Sequence, residues 1–156
     1  MSKSWDDYFM ELLPHIASKS KDESTKVGCI IVGANHEIRN TGYNSFPRGL
    51  DDNNEARQKR PEKYFWFEHA ERNAIYNAAR MGVPLNGCSL YIIAMPCCDC
   101  ARGIIQAGIK YVIYDDQPTN PFVKNGRWDD HIKKTIIMFK ECGILTRTYN
   151  VIDWPI

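Results

Sequence analysis

His69-Ala70-Glu71 and Pro96-Cys97-Cys98-Asp99-Cys100 are the two stretches whose residue types and spacing can do chemistry together. The imidazole of His69 and the thiolates of Cys97 and Cys100 can make three bonds to a zinc ion and leave the fourth tetrahedral position for water. Glu71, two residues from His69, is placed to move protons at such a centre. The pattern is therefore that of an open, hydrolytic site. A closed structural site needs a second Cys pair or a His pair at matching spacing, and the sequence has neither. A redox Cys-x-x-Cys would leave His-Ala-Glu without a role. Cys98 falls outside the Cys-x-x-Cys frame counted from Pro96 and reads as a bystander. Cys29, Cys88 and Cys142, isolated in apolar strand or helix patterns, read as buried free thiols.

Short helical patterns must carry these groups. Ala70, Ala74, Ile75 and Ala78 follow the first stretch, and Ala101, Ile104 and Ile105 run from the second toward Gly108. Both ligand sets thus fall at helix N-termini, where unpaired N–H groups and the helix dipole favour thiolate over thiol. Lys26 to Val32 and Ile38 to Tyr43, separated by the turn-like Gly33-Ala34-Asn35-His36, predict a hairpin. Cys88 to Ala94 predicts a third strand, Lys110 to Tyr114 a fourth, and Ile144 to Thr148 a fifth. Upstream, Trp5, Tyr8, Phe9, Leu12, Leu13 and Ile16 mark one face of an amphipathic helix whose aromatic stripe is expected in the core. Pro14 predicts a kink or a restart there. The polar segment Asp51 to Lys63 is a candidate lid, or a regulatory and subunit-contact loop. Asp115 to Arg127 reads as loop, and Trp128, Ile132, Thr135, Ile136 and Phe139 mark a last helix opened by Asp129-Asp130. Strand and helix alternating through the motifs imply right-handed crossovers and a parallel pair, which the hairpin turns into a mixed sheet.

The 156 residues, 44% of them hydrophobic, suit one domain over 1–156 with a sizeable core. A formal net charge of +1 offers no field to gather long nucleic acid. No apolar run approaches the ~20 residues of a spanning helix. The N-terminus lacks a signal-peptide layout, and six cysteines with a metal pair among them suit a reducing compartment, so the expectation is cytoplasmic.

Four pieces carry a resemblance over about Trp5 to Asp115: Ser20-Lys21-Asp22 with Lys26-Val27-Gly28; Gly42-Tyr43-Asn44; His69-Ala70-Glu71-Arg72-Asn73-Ala74-Ile75; and Pro96-Cys97 through Cys100 to Lys110. With them the chain resembles the deoxycytidylate branch of the cytidine-deaminase-like superfamily, whose H-x-E and P-C-x-x-C signature marks zinc deaminases. Ser45 and Phe46 differ from the residues usual after Gly-Tyr-Asn. The resemblance implies a three-layer α/β/α fold with a five-stranded mixed sheet, one catalytic zinc, a homo-oligomer that is often a hexamer, and often control by dCTP or dTTP.

It also implies substrate contacts. The asparagine matching Asn44 bonds the sugar hydroxyl, the N–H matching Ala70 helps read the base, and the aromatic matching Tyr114 lines the pocket. A phosphate needs a cation, and Lys26 and Arg48 are the candidates nearest along the chain to these residues. The implied reaction is hydrolytic deamination of deoxycytidine monophosphate to deoxyuridine monophosphate. In it Glu71 takes a proton from water and passes it to the ring nitrogen, C4 is attacked, and ammonia leaves. A 5-substituted monophosphate or dCTP remains an alternative substrate. Two further readings stand beside it. A deaminase of polynucleotide is disfavoured by the missing basic excess, and a non-enzymatic zinc module by Glu71.

Overall fold

Gly28-Cys29-Ile30-Ile31-Val32 forms β1, buried along its whole length. In this computed structural model, which describes residues 1–118, 120–124 and 126–149, helices lie over both faces of that strand. Ile30 and Val32 point to one face, where Phe9, Met10 and Leu13 of α1 (Trp5–Ala17) meet Tyr91 and Ile113. Cys29 and Ile31 point to the other, into a cluster with Ala70, Ala74, Leu90, Ile104, Val112 and Phe139. This explains why β1 reads as an unbroken apolar run and not as an alternating one. Each fully buried side chain of this size contributes about 1.5–3 kcal/mol.

β2 (Ile38–Tyr43) pairs antiparallel with β1, with a register shift between Ile31 and Val32. β3 (Ser89–Ile92) pairs antiparallel with the other edge of β1, and β4 (Tyr111–Tyr114) and β5 (Leu145–Thr148) add parallel strands outward. The order is β2-β1-β3-β4-β5, a five-stranded mixed sheet. The motif helices, defined below, cover the face opposite α1, completing the expected three layers. Among the described residues no helix is long and apolar enough to cross a membrane.

Several expectations needed revision. Helix α1 runs through Pro14 without a restart, and Ser18 N–H donates to the Pro14 carbonyl at 3.0 Å. The proline sits close to the helix end, so the missing bond is a single one, and Leu13 and Ala17 anchor both sides of it. Trp5 and Tyr8 are not core: they are 51% and 44% exposed, because Phe9, Met10 and Leu13 already fill the face that crosses the sheet. Trp5 instead stacks on the His36 ring at 4.5 Å. The polar segment contains a 3-10 turn over Glu55–Gln58 and runs at its end into a short helix, α2 (Lys63–Trp66). Cys29 and Cys88 are buried as expected, whereas Cys142 is exposed.

Candidate metal and substrate site

Helix α3 (Ala70–Met81) takes His69 as its N-cap, and α4 (Cys98–Gln106) takes Cys97. The His69 side chain makes no capping bond to its own helix, while Cys97 is engaged by Cys100 in the first turn of α4. The two caps face each other across the ends of the helices. His69 Nδ1 lies 3.6 Å from Cys97 Sγ and 3.5 Å from Cys100 Sγ. Zinc bonds of about 2.3 Å to sulfur and 2.0–2.1 Å to nitrogen, at the tetrahedral angle, set nitrogen and sulfur about 3.5–3.6 Å apart. The donor set therefore fits a zinc ion, and the three donor atoms all lie within 4.8 Å of one another.

The close approach of the helices has a local cause. Gly42 on β2 lies under the first turn of α3, where a Cβ would run into the Ala70 carbonyl oxygen and the Ala74 nitrogen. Glycine is required there for the backbones to touch. Farther along, α3 stops at Gly82, which adopts φ 69°.

Charge at the site follows from burial and from the groups pressed together. Cys100 donates toward Cys97, and His69 lies beside it, so Cys97 is lowered to about 3 against the cost of burial. Its partner Cys100 is pushed up by that same hydrogen bond and by burial. Arg72 Nη1 approaches Cys100 Sγ at 3.4 Å, and its guanidinium is pinned by an ion pair to Glu68. Burial opposes a charge on His69, but Cys97 and Glu71 outweigh it and raise the imidazole. Glu71 is buried, and the loss of water pushes its carboxyl above the usual range. A carboxyl placed beside the metal donors in this way is positioned to take a proton and return it. Cys98 turns away: its sulfur lies 3.0 Å from His131 Nδ1 of α6 (Asp129–Glu141).

These groups open into a cavity of about 990 Å³. His69, Ala70, Glu71, Cys97, Asn44, Tyr114 and Lys26 all line it. Arg48 does not; it is exposed and bonds Asn77 on α3. Ala70 opens its helix, where the N–H has no acceptor within the helix. Asn44 is buried in a hydrogen-bonded turn, its Oδ1 accepting from Val27 N–H at 2.8 Å.

The structure also brings in residues that the sequence did not signal. The Trp128 ring stands edge-on to His69 at 5.8 Å and to His131 at 5.1 Å, forming a wall of the cavity. Phe122, on the short helix α5 (Pro121–Lys124), lines it too. Arg60 and Lys63, from the polar segment, reach the same space. Nothing in their spacing distinguishes them from solvated charges. Only the tilt of that segment over Asp22 and Ser24 brings them in.

The sequence profile of the cytidine and deoxycytidylate deaminase zinc-binding region matches residues 3–115. Mouse deoxycytidylate deaminase is 42% identical over 153 residues, which cover 94% of this chain and 80% of that protein. The human deoxycytidylate deaminase is 41% identical over 115 residues, covering 70% of this chain and 64% of that protein. Among solved structures, the dCMP deaminase of cyanophage S-TIM5, in complex with dCMP and dUMP, superposes with a TM-score of 0.72 at 24% identity. That alignment covers 96% of this chain and 99% of the phage chain, and it supports the fold.

Proposed function

The chain belongs to the cytidine and deoxycytidylate deaminase family, and on that premise we propose that it converts deoxycytidine monophosphate to deoxyuridine monophosphate with release of ammonia, a step that supplies precursors of dTTP. The observation that carries this reading is Glu71, a buried carboxyl beside a three-donor metal set, lining with His69 and Cys97 a cavity of about 990 Å³. His69, Cys97 and Cys100 would hold zinc, which when bound supplies the Lewis acidity that makes water reactive near neutral pH. Glu71 takes the proton from the attacking water and delivers it to the ring nitrogen N3. The same carboxyl then takes the remaining proton from the new C4 hydroxyl and hands it to the amino group, so that C4 becomes a carbonyl and ammonia leaves.

The other residues bind and orient. The Ala70 N–H reads the base, Tyr114 offers it a flat face, and the remaining lone pair of Asn44 Oδ1 accepts from the sugar hydroxyl. Lys26 lines the cavity and is the proposed partner of the phosphate, and Arg60 lines the same cavity. Arg48, bonded to Asn77, is assigned to the surface. A single deaminase domain in the cytoplasm, assembled as a homo-oligomer up to a hexamer and regulated by dCTP or dTTP, completes the reading. Exposed Phe65, Tyr76 and Met81 support self-association, which sedimentation tests.

Ammonia release by the zinc-loaded protein tests the function. Turnover is expected on deoxycytidine monophosphate, weaker turnover on bare deoxycytidine, and none on a cytidine-containing oligonucleotide. Turnover on the oligonucleotide alone would overturn the proposal.

A further inference from the structure

Lys63, on α2, is a lysine with almost no contact with water. Its Nζ lies 2.6 Å from Asp22 Oδ2, and the two side chains are only 6% and 4% exposed. It also donates to Ser24 Oγ at 2.9 Å. The second carboxylate oxygen of Asp22, Oδ1, folds the following turn by accepting from Ser24 N–H, Ser24 Oγ and Thr25 N–H at 2.9, 3.0 and 3.1 Å. That turn supplies two of the three bonds on the Asn44 carboxamide: Nδ2 donates to the Thr25 carbonyl at 2.8 Å, and Oδ1 accepts from Val27 N–H at 2.8 Å. The third is direct, from Asn44 Nδ2 to Asp22 Oδ2 at 3.2 Å. Each of these bonds on the carboxamide therefore leads back to Asp22, and Asp22 to Lys63.

The direction of these bonds matters. A carboxamide has nearly the same shape in its two flipped orientations, whereas an ionised carboxylate only accepts. Facing Asp22, Asn44 must present its NH₂ group, and both of its protons are then spent. What remains for a ligand is one lone pair on Oδ1. Burial works against the charge on Asp22, but the Lys63 ammonium and the turn N–H groups outweigh it and hold the carboxyl below its usual range.

We propose that Lys63 and Asp22 are positioning residues that lock Asn44 as a hydrogen-bond acceptor, so that the site selects a nucleotide whose sugar hydroxyl donates. The proposal rests on the reading of Asn44 as the sugar ligand. It makes α2 part of the specificity device, since the lysine that sets the orientation arrives from that segment.

The test compares kcat/KM for deoxycytidine monophosphate with that for its 3′-fluoro analogue, which keeps the size of the hydroxyl but cannot donate. The unaltered protein is expected to prefer the hydroxyl about tenfold, the upper range of one hydrogen bond. The double variant Asp22→Asn with Lys63→Met removes both charges and leaves neither unpaired. The amide oxygen it introduces can still hold the turn, but the new NH₂ group then faces the NH₂ of Asn44, donor against donor. The preference should collapse toward unity, with the loss falling on the hydroxyl substrate, while zinc content and melting temperature stay near the original. A uniform loss on both substrates would indicate a merely structural role and overturn the proposal. Asn44→Ala separates the two layers of the argument. If it leaves the preference intact, Asn44 is not the sugar ligand. If it abolishes the preference and the double variant does not, the locking role is wrong. Should the double variant not fold, side-chain amide exchange in the unaltered protein decides. With deoxyuridine monophosphate bound, both Asn44 Nδ2 protons should keep their bonds to Asp22 and the Thr25 carbonyl, read as unchanged proton shifts and through-space contacts to those residues, and transfer of either bond to the ligand would overturn the proposal.

Discussion

Gly42→Ala is expected to damage stability and metal binding together, although Gly42 touches no ligand. Its methyl group would enter the space held by the Ala70 oxygen and the Ala74 nitrogen, both backbone atoms with no rotamer to move aside. Overpacking of this kind costs about 1–3 kcal/mol, and rigid neighbours place it in the upper half. In a chain of this size each kcal/mol shifts the melting temperature by about 2–4 °C, so a fall of about 4–12 °C is expected. The displaced turn carries His69 and Glu71, while Cys97 and Cys100 stay on α4. Metal bonds tolerate only about ±0.2 Å, so zinc affinity should drop by about 10- to 100-fold. Gly103→Ala is the matched control. A Cβ there meets Ile75 Cδ1 at 3.6 Å and Arg72 Cγ at 3.8 Å, ordinary contact between α3 and α4. Removing glycine from a helix interior should stabilise by about 0.5–1 kcal/mol. Thermal melts and chelator competition on both variants read the outcome. If Gly42→Ala melts and binds zinc as the original does, or if both variants shift in the same direction, the account of how β2 sets the position of α3 is wrong.

Other outcomes follow from the site. Glu71→Gln should hold one equivalent of zinc and lose about 10²- to 10⁴-fold in turnover, because the amide keeps the shape but cannot shuttle a proton; near-normal ammonia release would remove Glu71 from the mechanism. Cys97→Ala and Cys100→Ala should each lose zinc by elemental analysis while Cys98→Ala keeps a full equivalent, since its sulfur lies against His131; equal loss in all three would make Cys98 a ligand. Lys26→Ala should raise KM for the monophosphate, more so at low salt, and spare bare deoxycytidine, with Arg48→Ala changing neither. Equal loss on nucleoside and nucleotide would send the search for the phosphate partner elsewhere.

The sheet and the two motif helices could be read in the sequence because their signals are local. β-branched runs bounded by glycine and asparagine announce the strands, and alanine-rich spacing after His69 and Cys97 announces the helices. The metal set was legible for the same reason, each half being a few residues long. What escaped depends on distant partners. Lys63 looks like any charge in a polar segment, and its burial is decided by Asp22, which lies 41 residues earlier. Helices α2 and α5 are four residues each and have no period to detect; they are held by contacts rather than propensity. Trp128 announced a helix start, but not the wall it forms against His69. The stripe on α1 gave the correct helix and the wrong depth for Trp5 and Tyr8, because periodicity names a face without saying how far along it the sheet extends.

The strand order bears on how the chain acquires its shape during translation. In β2-β1-β3-β4-β5, every strand after the opening hairpin docks on an edge that earlier residues have already laid down. A nascent chain leaving the ribosome N-terminus first can extend the sheet in one direction, with no strand waiting for a neighbour still to be synthesised. Cys100 emerges before β4, α6 and the Trp128 wall exist, so the three metal donors are complete while the cavity above them is still open.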